Sequence, residues 1–133
     1  APGRAAAPRL GLRELRTADE VDEALASTGG ETVLVAVNSM CGCAAGVLRP
    51  ALARALQSHA RPPRLATVFA GQDQEATARA RHYFAPEPPS SPAVALVRDG
   101  QLLFMLPRGR IQGRTPEEVA ADLVRAFEKE ASP

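Results

Sequence analysis

Apolar residues follow two alternating rhythms along this chain. Thr32-Val-Leu-Val-Ala-Val37 and Leu65-Ala-Thr-Val-Phe69 are short, continuous, largely β-branched runs, the pattern of strands buried on both faces. Ala93 to Val97 and Leu102 to Leu106 are two further strands, and Asp99-Gly100 between them is a hairpin turn signal. Elsewhere the spacing is helical. Thr17-Ala-Asp-Glu20 is a capping box ahead of Val21, Ala24 and Leu25, and Gly29-Gly30 stops that helix. Leu48, Ala51, Leu52, Ala55 and Leu56 recur at helical spacing around Pro50. Either one helix starts near Cys41 and kinks at Pro50, or a helix starts near Arg49 with Pro50 as its first residue. Gly46, whose carbonyl the Pro50 ring would crowd, favours the first reading. Asp73 is placed to cap a third helix running to about Phe84, and Pro86-Glu-Pro-Pro-Ser-Ser-Pro92 is a rigid loop. Thr115-Pro116-Glu-Glu118 is a second capping box, opening a last helix with Val119, Leu123, Val124 and Phe127 on its apolar face.

The order is therefore α, β-α-β, α, β-β-α. A helical crossover joins parallel strands and a tight hairpin joins antiparallel ones. One mixed, four-stranded sheet flanked by helices satisfies both, with the first helix an addition at the N-terminal side. This α/β order is the thioredoxin architecture. The expected organisation is a flexible N-terminal segment over residues 1–16 and a thioredoxin-like domain over 17–130. Ala1 to Arg9 is rich in Ala, Pro and Arg without an apolar stretch, so it does not read as a secretory signal.

Composition narrows the function classes. The length of 133 residues suits one domain with its own core. Aromatic residues are only 4% of the chain, so that core is built from Ala, Val and Leu. The formal net charge is +1, and the arginines are scattered among acids rather than gathered in a basic block. Bulk electrostatic binding to nucleic acid is not indicated. No apolar run approaches the length of a membrane span.

The two cysteines, Cys41 and Cys43, are one residue apart. A disulfide closing so small a loop stabilises a fold by about 1.5 kcal/mol, against about 3 kcal/mol for a 15-residue loop. The pair therefore reads as reactive rather than structural, in a cytoplasmic compartment where thiols cycle. It sits where a buried strand ends and a helix begins, the usual place for a site in an open α/β sheet. A thiol there faces unpaired N–H groups and the positive end of the helix dipole, which favour the thiolate. Arg49 is a further source of positive charge. Gly42 supplies the backbone freedom that a Cys41–Cys43 disulfide needs. The pair can act as a dithiol, or Cys41 can form mixed disulfides that Cys43 resolves. Two inert buried cysteines, a zinc site completed by His59 and His82, and an iron–sulfur cluster shared across a dimer are the competing readings.

Two loops are expected to border the cysteines. Pro92 is either an ordinary turn proline or a cis proline after Ser91 that faces the cysteine loop. In the second case the Ser91 backbone can pair with a bound thiol ligand. Gln72 and Asp73 are either exposed cap residues or part of the groove beside the cysteines. Arg108, Arg110 and Arg114 flank a Gly/Pro-rich stretch that reads as a solvated charged loop more readily than as a ligand site.

Four blocks taken together carry a specific resemblance. They are Asn38-Ser-Met-Cys-Gly-Cys-Ala-Ala-Gly46 with Arg49-Pro50, and Val68-Phe-Ala-Gly-Gln-Asp73 with Glu75-Ala-Thr77. Pro88-Pro-Ser-Ser-Pro92 and Arg110-Ile-Gln-Gly113 complete the set. In order and spacing the chain resembles the bacilliredoxin family from about Thr17 to Phe127. The resemblance implies a thioredoxin-like fold and a C-G-C active site. It implies reduction of mixed disulfides between bacillithiol and client proteins, with weak disulfide isomerase activity. By position, Cys41 is then the attacking thiol, Cys43 the second cysteine and Pro92 the proline facing the site. Gly42, Ser91, Gln72 and Asp73 are the expected substrate-binding neighbours. No metal or organic cofactor is implied, since bacillithiol itself is the thiol co-substrate. Met40 departs from the smaller apolar residue expected at its position.

Overall fold

The computed structural model describes residues 11–38, 43–85, 87–88 and 91–130, with residues 43–45 described in backbone only. Strands β1 (Arg13–Glu14), β2 (Val33–Asn38), β3 (Arg64–Phe69), β4 (Ala93–Arg98) and β5 (Gln101–Leu106) form one sheet in the order β1-β3-β2-β4-β5. Helices α1 (Ala18–Leu25), α2 (Cys43–Ala55), α3 (Gln74–Phe84) and α4 (Pro116–Lys129) cover it. The β1–β3 and β2–β3 pairs are parallel, and the β2–β4 and β4–β5 pairs antiparallel.

The sheet has five strands, not the expected four. The additional one comes from the segment 1–16 that was expected to lie outside the domain. Arg13 and Glu14 pair with Ala66 and Thr67, and Leu12 and Leu15 on either side are buried. This strand escaped detection because a two-residue edge strand carries no periodicity. Its anchors are single leucines separated by charged residues.

Alternation along the strands divides the core. Leu34, Ala36, Leu65, Phe69, Val94 and Leu96 face α2 and α4, which contribute Leu48, Leu52, Leu123 and Phe127. Val33, Val35, Val37, Val68, Ala95 and Val97 face α1 and α3, which contribute Val21, Leu25, Ala80 and Phe84. Every residue of β2 is buried. The helix α2 starts at Cys43 and continues through Pro50, so the start near Arg49 is set aside. Pro50 is exposed there, while Leu48, Ala51 and Leu52 are buried against the sheet. Packing of that face outweighs the one hydrogen bond a proline removes.

Both predicted caps are present, with one difference. Thr115 and Glu118 form a reciprocal capping box on α4. At α1, Thr17 accepts from the Glu20 amide, but the Glu20 carboxylate accepts from the Arg16 amide at 2.8 Å, one residue earlier than a capping box places it.

Asp99 and Gly100 form the hairpin turn with positive φ values of 47° and 78°. The Asp99 carboxylate accepts from the Thr28 amide at 2.7 Å and from the Thr28 hydroxyl at 3.2 Å, fastening the turn to the α1–β2 connection. The Thr28 amide bond is the main reason its pKa lies below the ordinary 3.8. A depressed carboxyl pKa stabilises the fold above the unfolded value, and that contribution is lost as pH falls through the folded value. Asp99→Asn tolerates the same backbone but loses the charge. We expect it to lower the urea midpoint at neutral pH, with the deficit shrinking at about pH 3, below the ordinary carboxyl pKa. An equal deficit at both pH values would show that Asp99 acts without its charge.

Candidate functional site

Of the sequence-predicted site residues, Gln72, Asp73, Ser91 and Pro92 are brought to the carboxyl end of β2. Asn38 ends the strand and Cys43 opens α2. The segment 39–42 between them, including Cys41 and Gly42, lies outside the described residues, as does the Cys43 side chain. The first N–H groups of α2 have no acceptor within the helix, and its first turn carries no acidic residue. The positive end of the helix dipole is thus not offset by a carboxylate of its own helix at the point where Cys43 enters.

Register brings two loops to the same end. On one side β3 lies parallel to β2, with Phe69 opposite Asn38 and the Ala70 amide donating to the Asn38 carbonyl at 3.0 Å. The chain then turns through Gly71, Gln72 and Asp73. The Gln72 and Asp73 amides both donate back to the Phe69 carbonyl, at 3.2 and 2.9 Å. Gln72 is exposed and Asp73 half-buried. Asp73 is the N-cap of α3, but its carbonyl, not its side chain, makes the helix bond, accepting from Thr77 at 2.9 Å.

On the other side β4 runs antiparallel to β2, with Ala93 opposite Val37. Ser91 and Pro92 immediately precede Ala93 and so stand beside the end of β2. The Ser91–Pro92 peptide is cis, as expected from its place in the loop. Pro92 is buried and Ser91 half-buried. Gln72 and Asp73, and Ser91 and Pro92, therefore flank the β2 terminus from opposite sides.

One feature was not singled out from sequence, and a second was read there as a solvated charged loop. The first lies under the site. Asn38 is 6% exposed, and its side-chain amide donates to the Thr67 hydroxyl, which donates in turn to the Ala36 carbonyl at 2.8 Å. This polar pair on the α2 face of the sheet ties the last residue of β2 to β3. The only sequence signal was a threonine within an otherwise apolar strand.

The second is the segment after β5. Leu106 lies opposite Val94, so Arg108 and Arg110 begin at the same sheet end as Ser91 and Pro92. Arg114 donates to the Asp122 carboxylate at 2.6 Å and Arg125 donates to its other oxygen. The Arg114 bond is the largest influence holding the Asp122 pKa below its usual value, and Asp122 raises that of Arg114.

The family described as Disulphide isomerase matches residues 1–131. A bacilliredoxin of Koribacter versatilis is 50% identical over 128 residues, covering 96% of this chain and 88% of that protein. One from Symbiobacterium thermophilum is 54% identical over 120 residues, covering 90% and 84%. Among solved structures, a thioredoxin of Malassezia sympodialis superposes with a TM-score of 0.62 at 10% identity, covering 87% of this chain and 90% of that one. Mitochondrial thioredoxin 3 of Saccharomyces cerevisiae does so at 0.58 and 13% identity, covering 90% and 95%. At such identities these structures establish the thioredoxin-like fold alone.

Thr67→Val removes the hydroxyl that the buried Asn38 amide donates to. Leaving a buried donor unsatisfied costs about 1–3 kcal/mol, so urea denaturation is expected to show that loss, and Thr67→Ser, which keeps the hydroxyl, a smaller one. Equal losses in the two variants would assign the effect to the missing methyl packing.

Proposed function

The chain belongs to the bacilliredoxin family and is a thiol–disulfide oxidoreductase, and from that premise we propose that it reduces mixed disulfides between bacillithiol and protein cysteines. The observation that carries this reading is identity of 50–54% to bacilliredoxins across at least 90% of the chain. It is supported by the position of the Cys41-Gly42-Cys43 motif, which ends on the first residue of α2.

The proposed chemistry begins with the Cys41 thiolate attacking the bacillithiol sulfur of the mixed disulfide. The existing S–S bond breaks, the client cysteine leaves as a thiolate and takes a proton from water, and bacillithiol is held on Cys41. Release follows one of two routes. The Cys43 thiolate attacks the Cys41 sulfur, leaving a Cys41–Cys43 disulfide that two further thiols must reduce. Alternatively, a second bacillithiol attacks the held one, giving bacillithiol disulfide and free Cys41. Both routes run on thiols alone, so bacillithiol is the co-substrate and no metal or organic cofactor takes part. Weak isomerase activity follows from the same first step, when the attacked disulfide joins two cysteines of one client. The proposed setting is the cytoplasm, where thiols are kept reduced. Among the described residues, no helix is long and apolar enough to cross a membrane.

The two cysteines are expected to behave differently in single-turnover transfer from a bacillithiolated client. Cys41→Ser abolishes transfer. Cys43→Ser accepts bacillithiol and accumulates as the mixed disulfide, which excess bacillithiol then releases. Mass spectrometry of the trapped species tests this, and the reverse pattern would exchange the two roles. Alkylation of Cys41 is expected to plateau at a pH below the free-cysteine pKa of about 8.5. A visible cluster spectrum in anaerobically purified protein, dependent on both cysteines, would overturn the reductase reading in favour of an iron–sulfur carrier.

A further inference from the structure

The cationic turn after β5 lies at the same end of the sheet as the cysteines, yet neither thiol–disulfide step uses it. Arg108 to Arg110 form one turn of 3-10 helix, held between two buried residues, Leu106 and Ile111. Its backbone is fixed by bonds from the Arg110 amide to the Pro107 carbonyl at 2.9 Å and from the Gln112 amide to the Arg108 carbonyl at 2.8 Å. Arg114 donates to the Arg110 carbonyl at 2.8 Å while its guanidinium is engaged by Asp122. Asp122 is 8% exposed on its side chain, and Arg110 stands 3.7 Å from it with 65% of its own side chain exposed. The guanidinium groups of Arg110, Arg114 and Arg125 thus gather at the Asp122 carboxylate, while Arg108 donates to the Gln112 side-chain oxygen at 3.2 Å. The Glu118 carboxylate is taken up by the Thr115 amide and hydroxyl. The result is a preformed turn with excess positive charge, opening onto a groove of about 530 Å³ that Arg110 and Pro107 line at one end.

We propose that Arg108 and Arg110 form the subsite for the two malate carboxylates of bacillithiol, an inference that rests on the bacillithiol reading above. Guanidinium groups pair with carboxylates in a planar, two-pronged geometry. The turn follows β5, which is separated from β2 by β4, and two strand spacings amount to about 10 Å. In bacillithiol the cysteinyl sulfur and the malate carboxylates are separated by a chain of roughly nine bonds through the glucosamine, an extended reach of about 10 Å. A thiol held at the end of β2, beside Ser91 and Pro92, can therefore place its malate on the turn. Asp19, Glu20, Asp73 and Glu75 lie in and ahead of the first turns of α1 and α3, on the opposite face of the sheet. The carboxylates in the first two turns of α4, on the arginines' own face, each have a partner: Glu117 stands 3.7 Å from Arg54, Glu118 is held by Thr115 and Asp122 by Arg114 and Arg125.

The test uses one client protein carrying one of two adducts on the same cysteine: bacillithiol, or its cysteinyl-glucosamine analogue lacking malate. The wild-type protein is expected to have a KM at least tenfold lower for the bacillithiol adduct, with the advantage eroding as ionic strength rises. In Arg110→Ala and in Arg108→Ala/Arg110→Ala the ratio of the two KM values falls towards one, and Arg110→Lys restores part of it. If Arg110→Ala weakens both adducts equally, the arginines read the client protein and the malate subsite is overturned. If the wild-type protein turns over the bacillithiol adduct without preferring it, the subsite is overturned while the reductase reading stands. If it turns over neither adduct, the reductase reading itself fails and the subsite falls with it.

Discussion

The rest of the structure depends on the complete enclosure of β2. Both of its edges are used, by β3 in parallel and β4 in antiparallel pairing, and both of its faces are covered by helices. A strand in that position can offer no side chain along its length to a ligand, so its chemistry must emerge at its end. At its carboxyl end β2 stops at Asn38, and α2 begins at Cys43. The flanking loops reach the same place because the neighbouring strands are held in register with it.

Polar interactions divide between the two ends of the sheet. At the end away from the cysteines, Thr32 and Arg98 both donate to the Glu130 carbonyl, closing the end of α4 onto β2 and β4. Asp99 joins the hairpin to the α1–β2 connection at that same end. At the cysteine end, polar groups serve as anchors under and beside the site, through Asn38 with Thr67 and Arg114 with Asp122.

The low identity to thioredoxins, 10–13% in the two compared, shows what the fold requires. Burial pattern and element order persist where residues do not, because a two-faced sheet can be filled by many combinations of apolar side chains of suitable volume. Here that volume comes from Val, Ala and Leu, with Phe69, Phe84 and Phe127 the largest fully buried side chains.

By itself the sequence determined the order of the main elements, the hairpin at Asp99-Gly100, the capped start of α4 and the placement of the cysteines at a strand-to-helix junction. Each of these is a local matter, set by periodicity, by turn chemistry or by a cap within a few residues, so a local reading recovers it. Only the tertiary structure decided the rest. Strand β1 exists because Leu12 and Leu15 find a core to enter, not because two residues prefer to be extended. Asn38 meets Thr67 across 29 positions of sequence, and no local pattern announces such a pair. Arg108 and Arg110 are exposed, as the reading of a solvated charged loop expects, but their place at the cysteine end of the sheet follows from strand register, because charge shows in a sequence but proximity does not.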